Sequence, residues 1–178
     1  VRISVEIDVG LHRGGLRTMS ELDEVLGIIA ANPRHLAFSG FMGYDVHAAS
    51  APAVFSSKDA AVRGAFVRVM AAYRAFFDHG KNRYPALFTG DLIFNSGGSH
   101  TYMLFDGTGP VNDIALGSAL VKPSDFDSPL LAGHGEALFI AAPVLKRLEG
   151  ITIPFLEPLA GLFAAWNPNW RISYFIYG

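Results

Sequence analysis

The chain has no cysteine, so disulfides and thiolate metal sites within it are excluded. Charge is also sparse: 17% of the 178 residues are Asp, Glu, Lys or Arg, and the formal net charge is −2. No basic block stands out, which argues against nucleic acid as a partner. Apolar runs are broken by Gly, Pro or charge well short of the roughly 20 residues a membrane helix needs. What remains is a strongly apolar chain, 51% hydrophobic with a mean hydropathy of +0.30, enough to fold around a core. The first residues, Val-Arg-Ile-Ser, have no initiator Met or signal-peptide pattern, and the last, Ser-Tyr-Phe-Ile-Tyr-Gly, end in a strand-like run. Self-contained domains tend to have frayed polar ends, so the chain is expected to be an internal fragment of a longer protein.

Alternating Ile3, Val5, Ile7 and Val9 predict a half-buried strand over about 2–9, with Glu6 and Asp8 on the opposite, water-facing side. Gly10-Leu-His-Arg-Gly-Gly15 follows, a turn that throws Arg13 out past the strand's C-terminal end. In α/β proteins ligands bind at that end. Thr18-Met-Ser-Glu21 is a capping box before a helix with Leu22, Val25, Leu26 and Ile29 on one face, ended by Asn32-Pro33. A second strand is expected over about 35–41, leading to Gly43-Tyr-Asp-Val-His47. A long helix should run over about 58–79, burying Val62, Phe66, Val69, Met70, Tyr73 and Phe77 and stopping at Gly80. A third extended stretch begins at Pro85 and ends in Asn95-Ser-Gly-Gly-Ser-His-Thr101, with a short helix through Tyr102 and Leu104. A fourth strand region is predicted from Asp113 to Val121. The order βα, βα, βα, β predicts a parallel sheet with helices outside, at the spacing of a (β/α)8 barrel. Composition shifts near Pro123. Beyond it, strands over about 137–146 and 171–177 flank a helix over 158–166.

The Asn95–Thr101 turn exposes backbone N–H groups, adds Ser and Thr hydroxyls, and precedes a helix start. Such a loop can hold a phosphate without a lysine.

Glu6-Ile-Asp-Val-Gly-x-x-Arg13-x-Gly15 resembles the strand-and-turn signature of fold-type III pyridoxal-phosphate enzymes. These include alanine racemase, D-threonine aldolase and the eukaryotic-type D-serine dehydratase, and the last two are the branch most resembled. Gly97-Gly-Ser-His-Thr101 resembles that branch's phosphate loop, Gly-Gly-Thr-Gly-Thr, with His100 in place of a glycine. Leu116-Gly-Ser118 resembles its Pro-Gly-Ser-Tyr. The resemblance implies part of a TIM-type barrel over residues 1–122 and the start of a C-terminal β domain over 123–178. It also implies a pyridoxal 5'-phosphate-dependent lyase acting on D-amino acids, cytoplasmic and homodimeric in its full-length form.

On this resemblance Arg13 would meet the cofactor's phenolic oxygen or the substrate carboxylate. Tyr44 would pack on the ring; His47, read from its residue type alone, is a candidate acid, base or substrate contact. Ser96, Gly97, Gly98, Ser99, His100, Thr101, Gly117 and Ser118 would hold the phosphate. The residue two before Gly117 faces the pyridine nitrogen in the family, as Arg in racemases and Gln in aldolases. Here it is Ala115. None of Lys58, Lys81, Lys122 and Lys146 matches the position of the Schiff-base lysine, which is expected upstream of Val1, leaving this chain alone inactive. The branch also holds a divalent metal, zinc or manganese, on a late His-x-Cys pair. With no cysteine here, that site lies beyond Gly178 or is absent. An amino-acid racemase of the same fold and a non-catalytic pyridoxal-phosphate-binding or homeostasis protein are the alternatives.

Overall fold

The computed structural model describes residues 1–139, 141–167 and 171–176. They fall into two compact units, Val1–Leu138 and Phe139–Gly178.

In the first unit, β1 (Arg2–Glu6), β2 (Ala37–Met42), β3 (Ile93–Ser96) and β4 (Asp113–Ile114) form one parallel sheet in that order. Helix α1 (Met19–Ala31) connects β1 to β2, and α2 (Lys58–Arg83) connects β2 to β3. The capping box forms as the sequence predicts: Thr18 accepts from the Glu21 N–H, and the Glu21 carboxylate accepts from the Thr18 N–H. Leu22, Leu26 and Ile29 of α1 and Val62, Ala65, Val69, Tyr73 and Phe76 of α2 are buried with Val5, Ile7, Val9, Phe41 and Phe94. Phe66, Met70 and Phe77 are half-buried, and Phe76 rather than Phe77 takes the deep position.

The edges of several elements differ from the sequence pattern. β1 ends at Glu6, because Gly10 (φ +114°), His12 (φ +58°) and Gly15 (φ +85°) fold the chain back. Leu16 then bonds to both Glu6 and Asp8. The Asp8 side chain is 3% exposed and faces this turn instead of water. Helix α2 passes through Gly80 and ends at Arg83, capped by Tyr84 before Pro85. Gly80 is a packing residue: a Cβ there would lie 2.8 Å from Phe88 and 3.3 Å from Leu26. Pro85–Leu87 is a 3-10 turn, so the third strand is short. The fourth strand is only two residues, since Leu120 and its neighbours coil into a 3-10 turn, Ser118–Leu120. A β-bulge separates Ile3 and Ser4 in register with β2, and Gly40 beside it takes φ +125°. A Cβ on Gly40 would lie 1.8 Å from the Ile93 carbonyl oxygen.

Two side chains pin the strand ends. The Tyr73 hydroxyl donates toward the carbonyls of Phe41 and Asn95, at 3.3 and 3.1 Å, and the Ser96 hydroxyl donates to Gly43 at 2.8 Å. Burial raises the Tyr73 pKa, with the Asp113 charge adding to it.

In the second unit, β5 (Val144–Glu149) pairs antiparallel with β6 (Ile172–Ile176), from Val144 opposite Ile176 to Glu149 opposite Ile172. Helix α3 (Ala160–Trp166) lies between them in sequence. The strand expected over 137–146 begins at Val144 instead, after Pro143, which has no N–H for a ladder. Ile140 and Tyr177, also placed in strands by the sequence pattern, lie outside the described residues. No helix among the described residues is long and apolar enough to cross a membrane.

Candidate active site

The C-terminal ends of β1, β2, β3 and β4 converge on one open cleft of about 420 Å³. Arg13, Tyr44, Gly97, Gly98, Ser99, Gly117 and Ser118 all line it, together with Met42, Gly43, Asn95, Ala115 and Leu116. Parallel pairing produces this convergence. Each strand hands its loop to the same edge of the sheet, so motifs far apart in sequence become neighbours.

Arg13 is set by the turn behind it. The Asp8 carboxylate accepts from the N–H groups of Gly10 and His12 at 2.9 and 3.0 Å. It also meets the His12 ring at 2.7 Å and Arg17 at 3.5 Å. Burial pushes the Asp8 pKa up, but these hydrogen bonds and the His12 charge outweigh it, and the pKa lies below the usual value. The turn leaves the Arg13 guanidinium 4.6 Å over the Tyr44 ring centroid and 3.8 Å from Glu6.

The loop after β3 carries the anion-binding features. Gly97 takes φ +90°, and a Cβ on Gly98 would lie 3.0 Å from the Tyr44 ring. The N–H groups of Gly98, Ser99 and Ser118 take no partner among the described residues. The Ser99 hydroxyl accepts from Gly117 and Ala119 at 3.3 and 3.1 Å, which joins the two Gly-Ser stretches and leaves its own proton to donate. A Cβ on Gly117 would meet nothing within 4 Å, so this wall of the cleft is open.

Four of the residues singled out in the sequence lie elsewhere. Ser96 is fully buried under the cleft. Thr101 is also fully buried, and its hydroxyl donates to Asp45 at 2.7 Å. His100 turns away to stack on Phe126, with ring centroids 4.1 Å apart, and it needs no positive φ where the family loop has glycine. His47 lines a separate cavity of about 480 Å³ with Asp8, His12, Arg17 and Arg68, and its Nδ1 is buried without a partner. Asp45 and Asp8 escape a reading by residue type: one looks like a loop acid, the other like a solvent-facing strand acid. Their only signal was position, each beside a strand end. No group of three metal-binding side chains occurs among the described residues.

A parallel α/β sheet with helices outside and an open cleft at its strand ends has the architecture expected of part of a (β/α)8 barrel. Residues 1–122 match the family described as alanine racemase, N-terminal domain, and the chain belongs to that family of fold-type III pyridoxal-phosphate enzymes. Among solved structures, D-threonine aldolase from Filomicrobium marinum is similar with a TM-score of 0.60 and 16% identity, over 82% of this chain and 38% of that one. Alanine racemase from Bacillus anthracis, solved with bound L-Ala-P, is similar with a TM-score of 0.56 and 17% identity, over 86% and 37%. Alanine racemase from Oenococcus oeni gives 0.52 and 15%, over 75% and 34%. The chain thus spans less than two fifths of the length of these proteins. No curated protein sequence matches it.

The family binds pyridoxal phosphate, and the cleft fits that group. One wall is an aromatic face, the loop beside it has unpaired N–H donors, and Gly117 leaves open space where a Cβ would otherwise project.

Proposed function

We propose that the chain is part of a pyridoxal-phosphate-dependent lyase acting on D-amino acids, of the D-threonine aldolase or D-serine dehydratase kind. In this reading residues 1–122 are part of the barrel and 123–178 enter the β domain. The full-length protein is a cytoplasmic homodimer. The observation that carries the reading is the charge of the cleft. Arg13 is the one charged side chain among its described lining residues, and Ala115 stands where the resemblance puts an arginine in racemases.

The cofactor supplies an electron sink at the substrate's α-carbon. The chain's own residues bind and orient. Gly98, Ser99 and Ser118 offer N–H donors to the phosphate, and Tyr44 offers its ring face. Arg13 offers a planar, permanently charged fork to the phenolic oxygen or the substrate carboxylate. Its contact with the Tyr44 ring restricts it, so less side-chain entropy is lost on binding. His47 lies outside the lining and has no direct contact role in this reading.

An amino-acid racemase is the second reading, supported by the family match and the fold likeness to alanine racemases. Product analysis of the full-length protein with pyridoxal phosphate separates the two. A lyase releases glycine and acetaldehyde from D-threonine, or pyruvate and ammonia from D-serine. A racemase turns D-alanine into L-alanine with no carbonyl product. Racemisation without any cleavage would contradict the lyase reading.

A further inference from the structure

Asp45 follows β2 directly after Tyr44 and is fully buried. Its Oδ1 accepts a hydrogen bond from the Thr101 hydroxyl at 2.7 Å, while its Oδ2 is buried without a partner. His47 is the neighbouring ionisable group. One side chain from the β2 end therefore touches the last residue of the loop after β3. Thr101 is further tied to the loop by its N–H on the Gly98 carbonyl, at 3.0 Å. The N–H groups of Gly98 and Ser99, in the same loop, are the ones left unpaired beside the cleft.

We infer that Asp45 is a positioning residue for a phosphate monoester: it anchors Thr101, which ties back to the Gly98 carbonyl, and so holds loop 97–101 with its free N–H groups toward the cleft. This rests on the cofactor reading above. A fixed negative charge behind an anion loop would oppose that task. Burial favours the neutral acid, and it outweighs the hydrogen bonds from Thr101 and the backbone and the His47 charge. An amide keeps the Oδ1 acceptor for the Thr101 hydroxyl, so it should hold the loop as well as the acid does.

The test compares two probes, pyridoxine 5'-phosphate and pyridoxine. Neither has an aldehyde, so neither reacts with lysines, and they differ only in the phosphate. Affinities are measured calorimetrically on the cofactor-free full-length protein and on its Asp45→Asn, Asp45→Ala and Thr101→Val variants, with a thermal melt for each. The unaltered protein should prefer the phosphate ester by at least about tenfold. Asp45→Ala and Thr101→Val should lose that preference while keeping their affinity for pyridoxine, and Asp45→Asn should retain it. A general loss of packing would lower both affinities together, so the ratio isolates the loop. If Asp45→Ala does not fold, Thr101→Val decides, since valine keeps the shape and removes only the hydroxyl. Full preference in Asp45→Ala or Thr101→Val overturns the role of Asp45 alone, as does its loss in Asp45→Asn. Absence of any preference in the unaltered protein overturns the cofactor reading and the inference with it.

Discussion

The guanidinium of Arg13 lies 4.6 Å over the ring of Tyr44, although one follows β1 and the other follows β2. A cation and an aromatic face from adjacent strand ends thus share one wall of the cleft. Removing either takes away a contact that orients the other.

Arg13→Ala in the full-length protein should lower turnover by about 100- to 1000-fold, the usual cost of losing one charge-stabilising group at a reacting centre, about 2.7–4 kcal/mol. Its stability should change by no more than about 0.5–1 kcal/mol, because the side chain is 58% exposed and cation–π contacts at exposed sites are worth about that much. Arg13→Lys should restore activity only in part, since an ammonium keeps charge but lacks the planar fork. Steady-state kinetics and a thermal melt check both arms. Normal turnover in Arg13→Ala would leave β1 and its turn as structural elements only.

Gly98 and Gly117 should respond differently to a methyl group. Gly98→Ala forces the Tyr44 ring to shift, because the new Cβ would lie 3.0 Å from it, and overpacking of that kind typically costs about 1–3 kcal/mol. Gly117→Ala points into open space and should alter stability by less than about 0.5 kcal/mol. It should still weaken binding of pyridoxine 5'-phosphate, because the added methyl enters the cleft wall. Paired denaturation and binding measurements separate the two effects. Unchanged affinity in Gly117→Ala would remove that glycine from the phosphate site.

Asp8 should make the fold acid-sensitive. Its folded-state pKa lies below the ordinary 3.8, so its stabilising contribution is full above 3.8 and is lost as pH falls through the lower folded value. Asp8→Asn should therefore be less stable than the unaltered chain at neutral pH, with the difference shrinking in strong acid. Denaturant titrations at several pH values check this. A constant difference down to strong acid would mean that the charge on Asp8 is not what holds the turn.

The order of elements was legible because the signals were local. The Thr18–Glu21 box, the apolar faces of α1 and α2, and the glycine turns each act over a few residues. The boundary errors came from tertiary override. Gly80 looks like a stop but is the gap into which Phe88 packs, and Asp8 looks solvent-facing but is enclosed by its own turn. Most of the cleft followed from the motifs, since parallel pairing must bring strand ends together. Asp45 did not, because only the fold shows that a loop acid beside Tyr44 reaches Thr101 across two strand ends. The turning away of His100 onto Phe126 is likewise invisible in the loop motif.

The central claim is that the cleft at the strand ends holds the phosphate of the cofactor. Backbone amide shifts of the isotopically labelled chain, followed by NMR during titration with pyridoxine 5'-phosphate, test it most directly. The largest shifts should fall on Gly98, Ser99, Gly117 and Ser118, and should be absent with pyridoxine alone. Shifts centred instead on Gly10, His12, Arg17 and Arg68, which line the neighbouring cavity, would contradict the assignment.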